Sequence, residues 1–145
     1  MKYYLAMTKK NQLKKSMFKG VRYAHDIENT EDYLELVFDM LNNSGEARIV
    51  DIASKFGIAQ STANKTIQRL QQQGYIKKEP YRSIFLTPKG QQIAIQSKKR
   101  HKVVYSFLIN LGLTKKIARV DSEGIEHHVS EETLKKLDKF NNSQS

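Results

Sequence analysis

Three side chains in the C-terminal third, Glu123, Glu126 and His127, are spaced i, i+3, i+4. On a helix that spacing puts them on one face. Two carboxylates and an imidazole together suit a divalent cation that takes oxygen and nitrogen ligands. Two further carboxylates, Asp32 and Glu35, are spaced i, i+3 in an earlier segment, and a lone histidine, His101, lies between the two places. A metal ion joining these three places would tie the two halves of the chain together. Taken singly, each feature has a plainer reading. Acids in a first helical turn complement the helix dipole, and a lone helical histidine is ordinarily a polar surface group.

Other chemistries find less support. The sequence has no cysteine, which excludes a disulfide framework and any thiolate metal site and fits a reducing cytoplasm. Glu126-His127-His128 is not a zincin motif, because no His-Glu-x-x-His occurs. There is no Gly-rich phosphate loop and no Ser/His/Asp or Cys/His arrangement, so neither an enzyme nor a small-molecule substrate is expected. The net charge of +10 over 145 residues points to a polyanionic partner, most simply nucleic acid. An anionic membrane surface would want a basic amphipathic helix, and none stands out. No apolar run approaches 18 residues, so membrane spanning and secretion are not expected.

The elements that must position these residues can be read from the periodicity. Residues 1–29 form a basic arm whose apolar residues keep no clear period, and it is expected to be mobile. Thr30 is placed to cap a helix starting at Glu31, with Leu34, Val37, Phe38 and Leu41 as its apolar stripe. The run 42–45 ends it. A short helix carrying Ile49, Ile52, Ala53 and Phe56 is broken at Gly57. A second opens at Gln60 or Ser61 and ends before Gly74, burying Ala63, Ile67 and Leu70. A short helix, a Gly-containing turn and a helix with small polar residues at its start is the pattern of a helix-turn-helix. Gln60, Ser61, Thr62 and Asn64 suit base edges in a major groove, and Lys65 and Arg69 suit phosphates.

Residues 75–79 and 83–87 read as two short strands joined by the bend 80–82. A hairpin directly after a recognition helix is a wing, and Lys77 and Arg82 on it are placed for phosphate contacts. Thr87 and Pro88 then read as N-cap and first residue of a long helix reaching about Asn110. Thr114 can cap the next helix, whose apolar side is Ile117, Ala118, Val120, Ile125 and Val129 with the Glu123, Glu126, His127 triplet beside them. Ser130 caps a last helix carrying Leu134, Leu137 and Phe140. The expected fold is mainly α: a winged helix-turn-helix domain over 30–88, then an all-helical domain over 89–145 that carries the candidate metal-ligating triplet and whose apolar stripe could close an intrachain core or a dimer interface.

With these pieces in place, the sequence resembles the diphtheria-toxin-repressor family of metal-activated transcriptional repressors, and within it the manganese transport regulator branch. The carrying residues are Glu31-Asp32-Tyr33-Leu34-Glu35, Gly45-Glu46-Ala47-Arg48, Leu86-Thr87-Pro88-Lys89-Gly90, Arg100-His101 and Glu123-Gly124-Ile125-Glu126-His127-His128-Val129-Ser130. The resemblance spans 31–140, and the last motif is its most specific part. It implies that 89–145 is a dimerisation and metal-sensing domain, and that a two-metal site is held by Asp32, Glu35, His101, Glu123, Glu126 and His127. In iron-responsive relatives Met stands at the place of Asp32 and Cys at that of Glu126. The carboxylates here suit Mn²⁺, with Fe²⁺ as the other candidate. The implied function is a cytoplasmic homodimer that, once metal-bound, grips a palindromic double-stranded DNA operator and represses manganese uptake genes. The alternative is a metal-independent winged-helix regulator whose acidic cluster is a solvated face.

Overall fold

The computed structural model describes residues 24–80 and 83–145. Residues 24–44 are helical (α1). The helix is thus already formed six residues before the expected cap, and Thr30 lies within it. No Gly or Pro interrupts 24–30, and Arg69 donates to the Thr30 hydroxyl (3.2 Å) and the Asn29 side chain (3.4 Å), so that turn is held from outside. Of the expected arm, residues 24–29 are therefore helical, and 1–23 lie outside the described residues.

Next come α2 (Ile49–Phe56) and α3 (Gln60–Gln72), with Gly57 between them at φ 64°. That left-handed conformation lets the Gly57 N–H close onto the carbonyls of Ala53 and Ser54, which ends α2 and turns the chain into α3. The hairpin follows as β1 (Ile76–Lys78) and β2 (Ile84–Leu86), antiparallel, with Ile76 opposite Leu86 and Lys78 opposite Ile84. Both strands are shorter at each end than the sequence pattern suggests. The Ala47 carbonyl accepts from Ile84 N–H (2.8 Å), so the segment before α2 braces the wing. Leu34, Val37, Ile52, Ala63, Ile67, Leu70, Ile76 and Ile84 form one sealed core. Each such aliphatic residue larger than alanine is worth about 1.5–3 kcal/mol relative to exposure.

The long helix α4 (Pro88–Asn110) joins the two halves. Thr87 caps it by accepting from Gly90 N–H (3.1 Å) and donates to the Gly74 carbonyl (2.6 Å). Its first half packs Ala94 into the core already described; its second half sends Val103, Val104 and Leu108 into a second core with Ala118 and Leu134. That second core is closed by α5 (Lys115–Ile125), capped by Thr114, and α6 (Glu131–Ser143), capped by Ser130. Between them, Glu126–His128 form one 3₁₀ turn.

The C-terminal half departs from the sequence pattern in two ways. The triplet is not on a single α-helical face: Glu123 is in α5, whereas Glu126 and His127 are in the tighter 3₁₀ turn. And of the expected apolar side of α5, Ala118 is buried while Ile117, Val120 and Ile125 are exposed, Val120 at 67%. An eleven-residue helix packed against α4 on one edge seals only the narrow strip that meets α4, so the outer apolar residues face away from the subunit.

Candidate metal centre and DNA-facing surface

The 3₁₀ turn decides the centre's geometry. It aims Glu126 at α4 and His127 at α1. His101 Nδ1 lies 2.8 Å from Glu126 Oε2 and 3.8 Å from Glu123 Oε1. His127 Nε2 lies 3.1 Å from Asp32 Oδ1 and 3.5 Å from Glu126 Oε1. Donor atoms of His101, Glu123 and Glu126 thus form one close group, those of Asp32, His127 and Glu28 form a second, and Glu126 reaches from the first to the edge of the second. Five of the six expected ligands are brought together in this way.

Glu35, the sixth, stands beside the others with its carboxylate bonded by the Ser97 hydroxyl of α4. Burial pushes the Glu35 carboxyl up to about 7 against that hydrogen bond, with the charges of Glu126 and Asp32 adding to the rise. For His127, burial opposes the charged ring. Hydrogen bonds to Asp32 and Glu31 and the charges of Asp32 and Glu126 outweigh it and raise the imidazole to about 10. The bond to Glu126 likewise raises His101 above the ordinary histidine value, against partial burial.

Glu126 supplies the test of fit. It is 1% exposed, and the polar atoms closest to its carboxylate are ring nitrogens, His101 Nδ1 at 2.8 Å from Oε2 and His127 Nε2 at 3.5 Å from Oε1. A carboxylate so deeply buried is costly to ionise unless a cation or proton meets it. Its nearest neighbours are two imidazoles and further carboxylates, all capable ligands. The all-oxygen-and-nitrogen donor set fits a hard or borderline divalent ion.

Three residues at the centre escape the sequence reading. Glu28 stands with Asp32 and His127, Glu31 bonds His127 Nδ1 (2.6 Å), and Ser97 bonds Glu35. Taking Thr30 as a cap cut Glu28 off the helix. On the longer α1, Glu28, Asp32 and Glu35 recur at i, i+4, i+7, a single face. Ser97 and His101 are likewise i, i+4 on α4.

On the other side of the winged domain, Gln60, Ser61, Thr62 and Lys65 are exposed along the start of α3, and Lys77 is exposed on β1. Asn64 accepts from Lys78 Nζ of the wing (3.1 Å). Arg69 differs from expectation: its guanidinium turns back to Asn29 and Thr30 of α1 and to Gln73. It sits a full two turns from the helix start, where α3 meets α1. Arg82 lies outside the described residues. No helix among the described residues is long and apolar enough to cross a membrane.

Residues 27–84 match the family model of the iron dependent repressor N-terminal DNA binding domain, and 87–144 that of the iron dependent repressor metal binding and dimerisation domain. The chain is 48% identical over 117 residues to the transcriptional regulator MntR of Salmonella typhimurium (strain LT2), an overlap of 81% of this chain and 74% of that protein. It is 35% identical over 107 residues to the HTH-type transcriptional regulator MntR of Lysinibacillus sphaericus (strain C3-41), covering 74% of this chain and 77% of that one. Of solved structures, the manganese regulator SloR superposes with a TM-score of 0.70 at 27% identity, over 78% of this chain and 53% of that one. A manganese-dependent transcriptional repressor in complex with manganese superposes at 0.71 and 25% identity, over 78% of this chain and 52% of that one. The chain thus spans about half the length of these two solved chains.

Proposed function

The chain belongs to the iron-dependent repressor family, and from that premise we propose that it is a manganese-responsive transcriptional regulator whose ligands sit where the DNA-binding half meets the dimerisation half. It is a regulator and not an enzyme, as its relatives are. The observation that carries the metal reading is Glu126: a buried carboxylate set between two histidines that come from α4 and from the turn after α5.

Asp32, Glu35, His101, Glu123, Glu126 and His127 are the residues that would hold the metal. Four carboxylates and two neutral imidazoles give a formal charge of −4, which two divalent cations would balance. We take Mn²⁺ as the ion, with Fe²⁺ as the rival, because every donor is oxygen or imidazole nitrogen. The bound cations supply positive charge that turns mutually repelling carboxylates into a cross-link.

The chain's own residues make that cross-link informative. Asp32 and Glu35 are on α1, which also packs Leu34 and Val37 against the recognition helix and accepts the Arg69 bonds from it. Fixing α1 to α4 and the 3₁₀ turn therefore fixes the recognition helix relative to the dimerisation half. In a homodimer this sets the separation of two recognition helices entering successive major grooves of an operator. Gln60, Ser61, Thr62 and Asn64 would read base edges, Asn64 after exchanging its Lys78 partner. Lys65, Lys77 and Arg82 would contact phosphates. Arg69 serves the α1–α3 joint, a change from the phosphate role its charge suggests. The exposed Ile117, Val120 and Ile125 of α5 form the dimer face. The working place is the cytoplasm, and the genes are those of manganese uptake.

The test is DNA binding to the promoter of a manganese importer, with Mn²⁺ and with chelator, for wild type and Glu126→Ala. The expected result is a gain of tenfold or more with Mn²⁺, about 1.4 kcal/mol of coupling, absent in the variant. Equal binding with chelator and in the variant would leave a metal-independent winged-helix regulator.

A further inference from the structure

We propose that Glu31 is a positioning residue for the metal centre. Held by Arg100, its carboxylate keeps the His127 ring turned so that Nδ1 carries the proton and Nε2 faces Asp32 and Glu126. The inference rests on the metal-sensor reading above and adds two residues to it.

The His127 ring lies across two consecutive residues of α1. Nδ1 is 2.6 Å from Glu31 Oε2, and Nε2 is 3.1 Å from Asp32 Oδ1. Neighbouring side chains on a helix diverge by about 100°, so the two carboxylates meet opposite edges of the ring. The remaining Glu31 oxygen, Oε1, is 3.5 Å from Arg100 Nη1. Arg100 Nη2 donates to the carbonyls of His127 (3.4 Å) and Val129 (3.3 Å). One guanidinium thus grips both the acceptor of the ring and the backbone that carries it. Arg100 is also the neighbour of His101 on α4, so the frame reaches the second imidazole of the centre.

A neutral imidazole has one nitrogen free for a metal, and the hydrogen bond made by the other decides which. A carboxylate against Nδ1 can only accept, so the proton stays there when a cation displaces the one on Nε2 beside Asp32, and Nε2 becomes the donor to that cation. Such partners also fix ring orientation and raise ligand basicity. Glu31 is poorly placed to be a ligand itself. Its oxygens face the far edge of the ring and a guanidinium, and the positive charge of Arg100 disfavours a second cation beside it. Glu31 and His127 are both buried, so water does not compete for the bond.

The test uses the full-length protein stripped with chelator, titrated with Mn²⁺ and followed by the electron paramagnetic resonance signal of the free ion. Circular dichroism melts in chelator run alongside. Glu31→Ala is expected to weaken Mn²⁺ binding by about 10–100-fold. Glu31→Gln, whose amide oxygen can still accept from Nδ1, is expected to recover most of that loss. Arg100→Met should fall between the two. Should Glu31→Ala fail to fold, the isosteric Gln variant and Arg100→Met still decide the matter. Lower melting temperatures with wild-type Mn²⁺ affinity would make Glu31 merely structural and overturn the proposal. A Gln variant as weak as the Ala variant would overturn it in favour of a direct charge contact with the ion. A wild type that binds no Mn²⁺ would instead overturn the metal-sensor reading, and the inference with it.

Discussion

At the scale of residues, the centre is a set of acids and imidazoles whose protonation is coupled. His127 sits at about 10 against an ordinary 6.5, and Glu35 at about 7 against 4.5. For His127 the folded chain holds its proton more tightly than the unfolded one. That stabilisation is complete below pH 6.5 and is lost as pH rises through about 10. Glu35 acts in the same direction for a different reason. Burial makes its ionised form unwelcome, so the fold loses stability as pH rises from 4.5 through about 7. The metal-free protein should therefore melt at progressively lower temperature as pH is stepped from 5 to 9 in chelator. A melting temperature that stays flat or climbs over that range would contradict the geometry of the centre. The Mn²⁺ response has the opposite sign. Ligation must displace the His127 proton, so affinity should strengthen over the same range and binding should release protons. Calorimetry in buffers of differing ionisation enthalpy measures that release directly.

At the scale of elements, α4 is the helix through which, on the proposed function, metal at one end would be felt at the other. It enters the winged domain at Gly90, where an added Cβ would lie 2.1 Å from the Tyr75 carbonyl oxygen. That oxygen already accepts the Thr87 N–H (3.0 Å), and β1 follows directly, so the backbone has little room to retreat. Gly90→Ala should cost about 1–3 kcal/mol, the range for overpacking a tight contact, read as a shift in the denaturation midpoint. A variant as stable as wild type would mean that α4 is not closely seated on the wing. The ion pair of Lys98 with Asp39 (2.6 Å) also links α4 to α1. Both side chains are substantially exposed, so it adds little beside the buried contacts.

At the scale of the whole molecule, two sealed cores share one continuous helix, and the donor residues lie at their junction. This arrangement lets a local charge change alter the relation between two otherwise self-contained bodies. It also leaves α5 with an exposed apolar outer face, Ile117, Val120 and Ile125, among the described residues. A second copy is the natural cover in a family with a dimerisation domain. Replacing Val120 with Lys should shift the protein toward monomer in sedimentation equilibrium and weaken operator binding, while leaving the helical signal intact. A Val120→Lys protein that sediments like the wild type would remove this face from the dimer.

The sequence by itself determined the order of elements, the helix-turn-helix and the six candidate ligands, because each is encoded locally. Apolar periodicity sets the buried faces of α2 and α3, Gly57 sets the turn between them, and Thr87-Pro88 starts α4. Side-chain chemistry offered Asp32, Glu35, His101, Glu123, Glu126 and His127 as candidate donors, and the family resemblance implied that they act as one set. What it left open depends on contacts between residues far apart in the chain. Thr30 has the chemistry of a cap, but Arg69, 39 residues away, holds that turn inside a longer helix and carries Glu28 into the centre. The same contact turns the Arg69 guanidinium toward α1. The i, i+3, i+4 spacing put Glu123, Glu126 and His127 on one face, yet the chain tightens to a 3₁₀ turn after Ile125 and sends His127 to α1 and Glu126 to α4. Glu31 and Ser97 gained their places in the same way. Neither carries a motif, and only the packing of α1 against α4 and the turn decided that one meets His127 and the other Glu35.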